Sequence, residues 1–255
     1  MSTRSDHRVV IRQVAPGLHR VGHDAVNFYL AVEDGRVGLV DAGLPASWPV
    51  LEEALRSLGH APPDVVAVAV THAHFDHLGC ARRLQTDHGV PVLVHPGDAH
   101  LAAHPYRYRP ARNRFLFAAT HRGGWPHLAA MTRSGALGVR PPLRTQPLTP
   151  GALPDFPGRP EVVVTPGHTD GHVVLHFPRA SAVVTGDALV TLDPYTGLTG
   201  PRVVASGATN DPRLAVRSLE AIAATGAMHV LPGHGEPWHG GAALAAERAA
   251  LAGVA

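Results

Sequence analysis

The residues best equipped for chemistry lie in one short run, His72-Ala73-His74-Phe75-Asp76-His77. A divalent cation needs several unprotonated nitrogen or oxygen donors converging at about 2.0–2.2 Å. His72 and His74, two apart on an extended turn, can point the same way. Asp76 and His77, read as opening a helix, can then face a second ion, so these four donors suit two neighbouring cations better than one. Three more donors each follow a β-like run inside a Gly-rich turn: His168 in TPGHTDGH, Asp187 in VVTGD and His234 in LPGHGEP. Glycine lets the backbone turn tightly, so that a side chain projects from the strand end. A histidine-rich surface loop would account for the first run alone. It does not account for four strand ends that each present His or Asp.

The elements that must position these donors are legible around them. VVIRQV, GLHRV and AVNFYLAVE read as strands, and Asp34-Gly35 reads as a hairpin turn into RVGLVD. SWPVLEEALRSLG has helical spacing and stops on Gly59. DVVAVAV is a β-branched run suited to a buried strand, and it leads straight into the histidine run. FDHLGCARRLQTDHG reads as a helix and PVLVH as the next strand. EVVV, VVLHFP and SAVVTGD continue as strands. DPRLAVRSLEAIAATG is an amphipathic helix with Asp211 at its N-cap and Pro212 in its first turn. MHVLPGHG is a last strand and loop, and GGAALAAERAALAG a closing helix.

Residues 97–145 break this rhythm. Tyr106, Tyr108, Phe115, Phe117 and Trp125 alternate there with Arg107, Arg109, Arg112, Arg114 and Arg122. The segment reads as one or two helices inserted as a cap within a single domain spanning 1–255. His95, His100, His104, His121 and His127 fall in or beside it and are not read as ligands.

The order VDAG, THAHFDH, PGHTDGH, TGD, PGHG resembles the metallo-β-lactamase superfamily in its hydrolase form, across essentially the whole chain. That resemblance implies an α/β (α+β) fold, a four-layer αββα sandwich with the site along one edge. It implies that His72, His74 and His168 hold one cation, that Asp76, His77 and His234 hold the other, and that Asp187 bridges both. Asp41, in VDAG, would orient a ligand histidine from behind. The implied chemistry is hydrolysis by a hydroxide shared between two divalent cations, zinc first, with manganese or iron as alternatives. Asp76 and Asp187 stay ionised beside the cations and are the candidate catalytic carboxylates.

Departures from the family's branches narrow the substrate. True β-lactamases lack a bridging Asp at the position of Asp187, and flavodiiron oxygen reductases carry an acidic residue where His74 stands. Only 21 residues follow His234, too few for the helical region with which glyoxalase II-type members hold glutathione. Lactonase-type members often carry Tyr three residues beyond the bridging Asp, where this chain has Val190. A small ester, thioester or lactone is therefore the expected substrate. A phosphodiesterase or nuclease with the same metals is an alternative. So are a persulfide dioxygenase-like enzyme with one iron on His72, His168 and Asp187, and a metal-binding protein without turnover.

Bulk properties agree with an enzyme of this kind. Of 255 residues, 45% are hydrophobic and 16% charged, which suits a folded core rather than a disordered chain. The net charge is only +2 and no block of like charges occurs, so nucleic acid is not the expected partner. Cys80 is the lone cysteine, so no intrachain disulfide forms, and it is read as a small core residue. MSTRSDHRVV has no apolar leader and no run of 18 apolar residues occurs, so the chain is expected in the cytoplasm. His172 and His176, on the strand after His168, are read as packing or exposed side chains more readily than as supports of a ligand.

Overall fold

The computed structural model describes residues 10–23 and 26–255. The N-terminal segment, with Val9 of the first expected strand, lies outside them, as does Ala25 of the long apolar run.

The first sheet has the order β1 (Val10–Ala15), β2 (Leu18–His23), β3 (Val26–Glu33), β4 (Arg36–Val40), β5 (Val65–Ala69), β6 (Val92–Val94) and β7 (Gln146–Pro147). β1 to β4 form an antiparallel meander, and β4 to β7 pair in parallel. The β3–β4 hairpin turns on Asp34 and Gly35, with φ of 51° and 71°. Two successive positive φ values define the tight turn that matches strand twist.

Helix α1 (Trp48–Ser57) joins β4 to β5, and α2 (Ala81–His88) joins β5 to β6. The helix expected from Phe75 begins later: Phe75–His77 is a single 3₁₀ turn. The reason is tertiary. The N–H groups of Gly79 and Cys80 donate to the carbonyls of Gly43 (2.7 Å) and Ala42 (3.0 Å), which pulls the chain onto the VDAG turn. A Cβ at Gly79 would sit 2.2 Å from the Leu44 carbonyl carbon, so only glycine permits that approach.

Between β6 and β7 run α3 (Ala99–Ala103), α4 (Arg114–Thr120) and α5 (Trp125–Arg133), three helices where the sequence leads one to expect one or two. The second sheet comprises β8 (Gly151–Ala152), β9 (Glu161–Val164), β10 (Val173–Phe177), β11 (Ala182–Gly186) and, after a small ribbon of β12 (Val190–Leu192) and β13 (Thr199–Arg202), β14 (His229–Pro232). Its order is β14-β11-β10-β9-β8. α6 (Pro212–Ala224) precedes β14 and α7 (Ala242–Ala252) follows it.

The four layers follow from the period-2 alternation of the strands. Tyr29 and Ala31 of β3 meet Leu175 and Phe177 of β10 and Val184 of β11 between the sheets. Phe28 and Leu30, on the opposite face, pack with Leu51 and Leu55 of α1 and Leu84 of α2. Val174 and Val183 face outward against Leu219 and Ile222 of α6 and Ala245 of α7. The architecture is an αββα sandwich. At one edge the sheets are also tied by directional contacts: the Tyr29 hydroxyl and the Asn27 amide donate to the Pro232 carbonyl at 2.7 and 2.9 Å.

Candidate metal centre

The candidate ligands stand in loops that follow strands along that edge, Asp76 and His77 in the 3₁₀ turn Phe75–His77. β5 runs into Thr71 and His72. His168 lies between β9 and β10, Asp187 follows β11 directly, and His234 follows β14. All seven are buried.

The structure brings all seven together. His168 Nε2 lies 3.0 Å from His74 Nδ1, close to the spacing of two nitrogens around one ion. His234 Nε2 lies 3.3 Å from Asp76 Oδ2 and 3.2 Å from Asp187 Oδ2. Asp187 reaches both sides of the cluster, with Oδ1 3.5 Å from His77 Nε2 and Oδ2 3.6 Å from His168 Nε2 and 4.0 Å from His72 Nε2. Among the described residues, three triads have donor atoms within 4.8 Å of one another: His72-His74-His168, His72-His77-Asp187 and Asp76-His77-His234.

The donor set fits cations. Nε2 of His72 and His77 and Oδ1 of Asp187 are buried with no hydrogen-bond partner among the described residues, a costly state unless something else satisfies them. Burial pushes His72 and His74 well below the ordinary imidazole pKa and His168 down to about 4, so these rings are neutral and offer lone pairs. Burial also disfavours charge on His77 and His234, but carboxylates reverse the outcome. Asp41, Asp76 and Asp187 hold His77 well above its usual value, and Asp187 and Asp76 lift His234 to about 10. Burial alone would raise Asp187, yet His234 and His77 hold it well below the usual carboxylate range. The carboxylates thus already act as counter-charges to bound positive charge.

The ring orientations are fixed from behind. Asp41, held at φ 61°, accepts from His77 Nδ1 at 2.9 Å and from the Thr71 hydroxyl at 2.8 Å. The Thr71 proton is thereby committed, so its oxygen accepts from His72 Nδ1 at 3.2 Å. Thr209 does the same for His168: its hydroxyl donates to the Val204 carbonyl at 2.7 Å and accepts from Nδ1 at 3.1 Å. On His72 and His168 the proton therefore sits on Nδ1 and Nε2 faces the cluster, while Asp41 holds the Nδ1 proton of His77.

The sequence profile of the metallo-beta-lactamase superfamily matches residues 21–234, most of the chain and every ligand position. The chain belongs to that superfamily. It is a metallo-hydrolase-type member. It is 27% identical over 241 residues to the probable metallo-hydrolase YflN of Bacillus subtilis, covering 89% of this chain and 87% of that one. Among solved structures it is similar to the metallo-beta-lactamase family protein TTHA1429 of Thermus thermophilus, with a TM-score of 0.68, 26% identity, and coverage of 94% of this chain and 80% of that one. TTHA1623, solved in a di-iron-bound form, shares the fold at a TM-score of 0.62 and 24% identity, over 96% of this chain and 99% of that one.

Two further residues support the cluster: His172, for which the sequence favours packing or exposure over this role, and Asp98, which the sequence reading misses. His172 is buried, and its Nε2 accepts from the backbone N–H groups of Asp187 and Ala188, both at 3.1 Å, while Nδ1 donates to Thr165 at 2.9 Å. Packing is the role its position on a strand suggests, and the ring instead holds the Asp187 turn. Asp98, just after β6, accepts from Ala73 N–H (2.9 Å), the Thr169 hydroxyl (2.8 Å) and Gly171 N–H (2.8 Å), clamping the 72–77 and 168–172 segments together. Its only signal is an acid after a strand, PGD, which many turns share. Over the ligands, Tyr108 packs on His74 at 4.3 Å, and its hydroxyl meets that of Tyr195 at 3.1 Å.

Proposed function

We propose that this chain hydrolyses a small ester, thioester or lactone with two divalent cations, zinc being the first choice and manganese or iron the alternatives. The carrying observation is the convergence of seven buried donors from four separate loops, with three of their atoms, Nε2 of His72 and His77 and Oδ1 of Asp187, otherwise unsatisfied among the described residues. His72, His74 and His168 would hold one ion, Asp76, His77 and His234 the other, and Asp187, within reach of both groups, would touch each. Bound there, two such ions acidify a shared water and polarise the oxygen of the scissile bond.

The chain's own residues do the rest. Asp41, Thr71 and Thr209 keep the imidazole lone pairs aimed inward, which avoids reorganisation as charge develops. His172 fixes the turn that carries Asp187. Asp76, beside the small pocket formed with Tyr108, Tyr195 and Pro194, is positioned to carry a proton to the leaving group. Those aromatic rings and Met131 limit water over the reacting carbon. The helices of 97–145 would serve as the cap of a single domain acting on small molecules in the cytoplasm.

The test combines metal analysis with a panel of p-nitrophenyl acetate, a thioester, a lactone and bis-p-nitrophenyl phosphate. About two zinc or manganese ions per chain with cleavage of an acyl substrate supports the proposal. Cleavage of the phosphodiester alone, or a single iron with oxygen uptake, overturns it.

A further inference from the structure

Beside the centre lies a separate cavity of about 390 Å³, within the size range that takes a small-molecule group. It touches the ligand His168, and Tyr108 and Ala208 line both it and the pocket over the metal donors. That second pocket admits only about 10 Å³. A substrate with its scissile bond at the metals must therefore place its remaining atoms elsewhere.

The charges of the cavity say which atoms belong there. Arg107 and Arg109 line it on either side of Tyr108, and among the described residues neither guanidinium has an ion-pair or hydrogen-bond partner. Its two carboxylates are engaged: Asp98 is taken by Ala73, Thr169 and Gly171, and Asp170 accepts from the Asn210 amide at 2.7 Å. The larger groove of about 1120 Å³ on the His234 side is lined by Arg12 and Arg20, of which Arg20 is tied to Asn27 and Glu236, and none of the seven candidate ligands lines it.

We propose that Arg107 and Arg109 form an anion subsite, and that the substrate carries a carboxylate or phosphate seated between them while its scissile acyl group lies over the metal donors. Planar guanidinium groups recognise both oxyanions in the two-pronged geometry these arginines can offer. The inference rests on the hydrolase reading for its catalytic consequence, but the anion site itself does not.

Two measurements on the metal-loaded protein separate these claims. In the first, kcat/KM is compared for p-nitrophenyl hemisuccinate, a phosphorylated aryl ester and neutral p-nitrophenyl butyrate. The proposal expects an anionic ester to be preferred. In the R107A/R109A double variant that preference should fall about tenfold or more, the scale of lost charge-assisted hydrogen bonds. The exposed Arg217→Ala control should leave it intact. A preference that survives in the double variant, or never exists, overturns the subsite while leaving the hydrolase standing. In the second, calorimetric titration with monomethyl succinate and with methyl phosphate tells which oxyanion is held and needs no turnover. Binding that weakens in R107A/R109A sustains the subsite even if no ester is cleaved, and binding unchanged by both substitutions refutes it.

Discussion

His172 Nε2 accepts a hydrogen bond from the backbone N–H of Asp187 at 3.1 Å, so a buried imidazole outside the donor set fixes the backbone of a carboxylate within it. Burial keeps this ring well below the ordinary imidazole pKa, and a neutral ring is what an acceptor at Nε2 requires.

Replacing His172 with Ala strands two backbone donors beneath the Asp187 turn. Metal affinity should fall about 10–100-fold, the scale typical of outer-shell partners, with the His72 triad otherwise assembled. Chelator competition checks this; an unchanged affinity would show that the turn holds itself.

Asp187 touches both groups of donors. Asp187→Ala should retain fewer than two metals per chain and lose turnover by several orders of magnitude, as read by metal analysis and steady-state kinetics. Full activity in that variant would refute the bridging role proposed for it.

Asp98 satisfies three donors from two ligand loops. Asp98→Ala leaves these buried, for a cost of about 3 kcal/mol, and Asp98→Asn should recover part of it by keeping one acceptor oxygen. Urea unfolding of both variants gives the comparison. Equal stability of wild type and Asp98→Ala would end the clamp argument.

Burial pushes the Cys80 thiol up to about 12. The raised value favours the neutral thiol, so at pH 8 the thiolate is scarcer than in a free cysteine, and the deficit persists until pH approaches the shifted value. Native protein should therefore resist dithionitrobenzoate at pH 8 and react with one equivalent once denatured. Rapid labelling of the native state would contradict this packing.

Removing the metals should also destabilise the fold. A ligand at a hundredfold excess over its Kd contributes about 2.7 kcal/mol, so chelation should lower Tm on the order of 5–10 °C for a chain of this size. Calorimetry with and without chelator decides it, and a Tm insensitive to chelation would exclude tight binding.

The donors are legible in the sequence because metal binding draws on few residue types, and because strand-end turns announce themselves through glycine. The sandwich is legible only through the family resemblance that VDAG, THAHFDH, PGHTDGH, TGD and PGHG carry; the structure shows its alternation, with Val173, Leu175 and Phe177 of β10 between the sheets and Val174 outward. The start of α2 is not, since Gly79 and Cys80 bond to Gly43 and Ala42, a long-range contact that local periodicity does not carry. Asp98 goes unseen and His172 is read as packing or exposed before it is read as a support, for the same reason. A histidine on a strand and an acid in a turn look ordinary until the chain brings Asp187 or Ala73 beside them. The ribbon of β12 and β13 and the two-residue strand β8 are too short for any pattern to register.

Apolar contact between the two sheets is non-directional and would tolerate one sliding over the other by a residue or so. Tyr29 and Asn27 forbid that by reaching across to Pro232. They do so next to the loop that carries His234, so the offset between the two halves is gauged at the very edge where the reacting geometry is assembled. A substitution that loosened either contact would thus misalign the halves of the centre before it unfolded the protein.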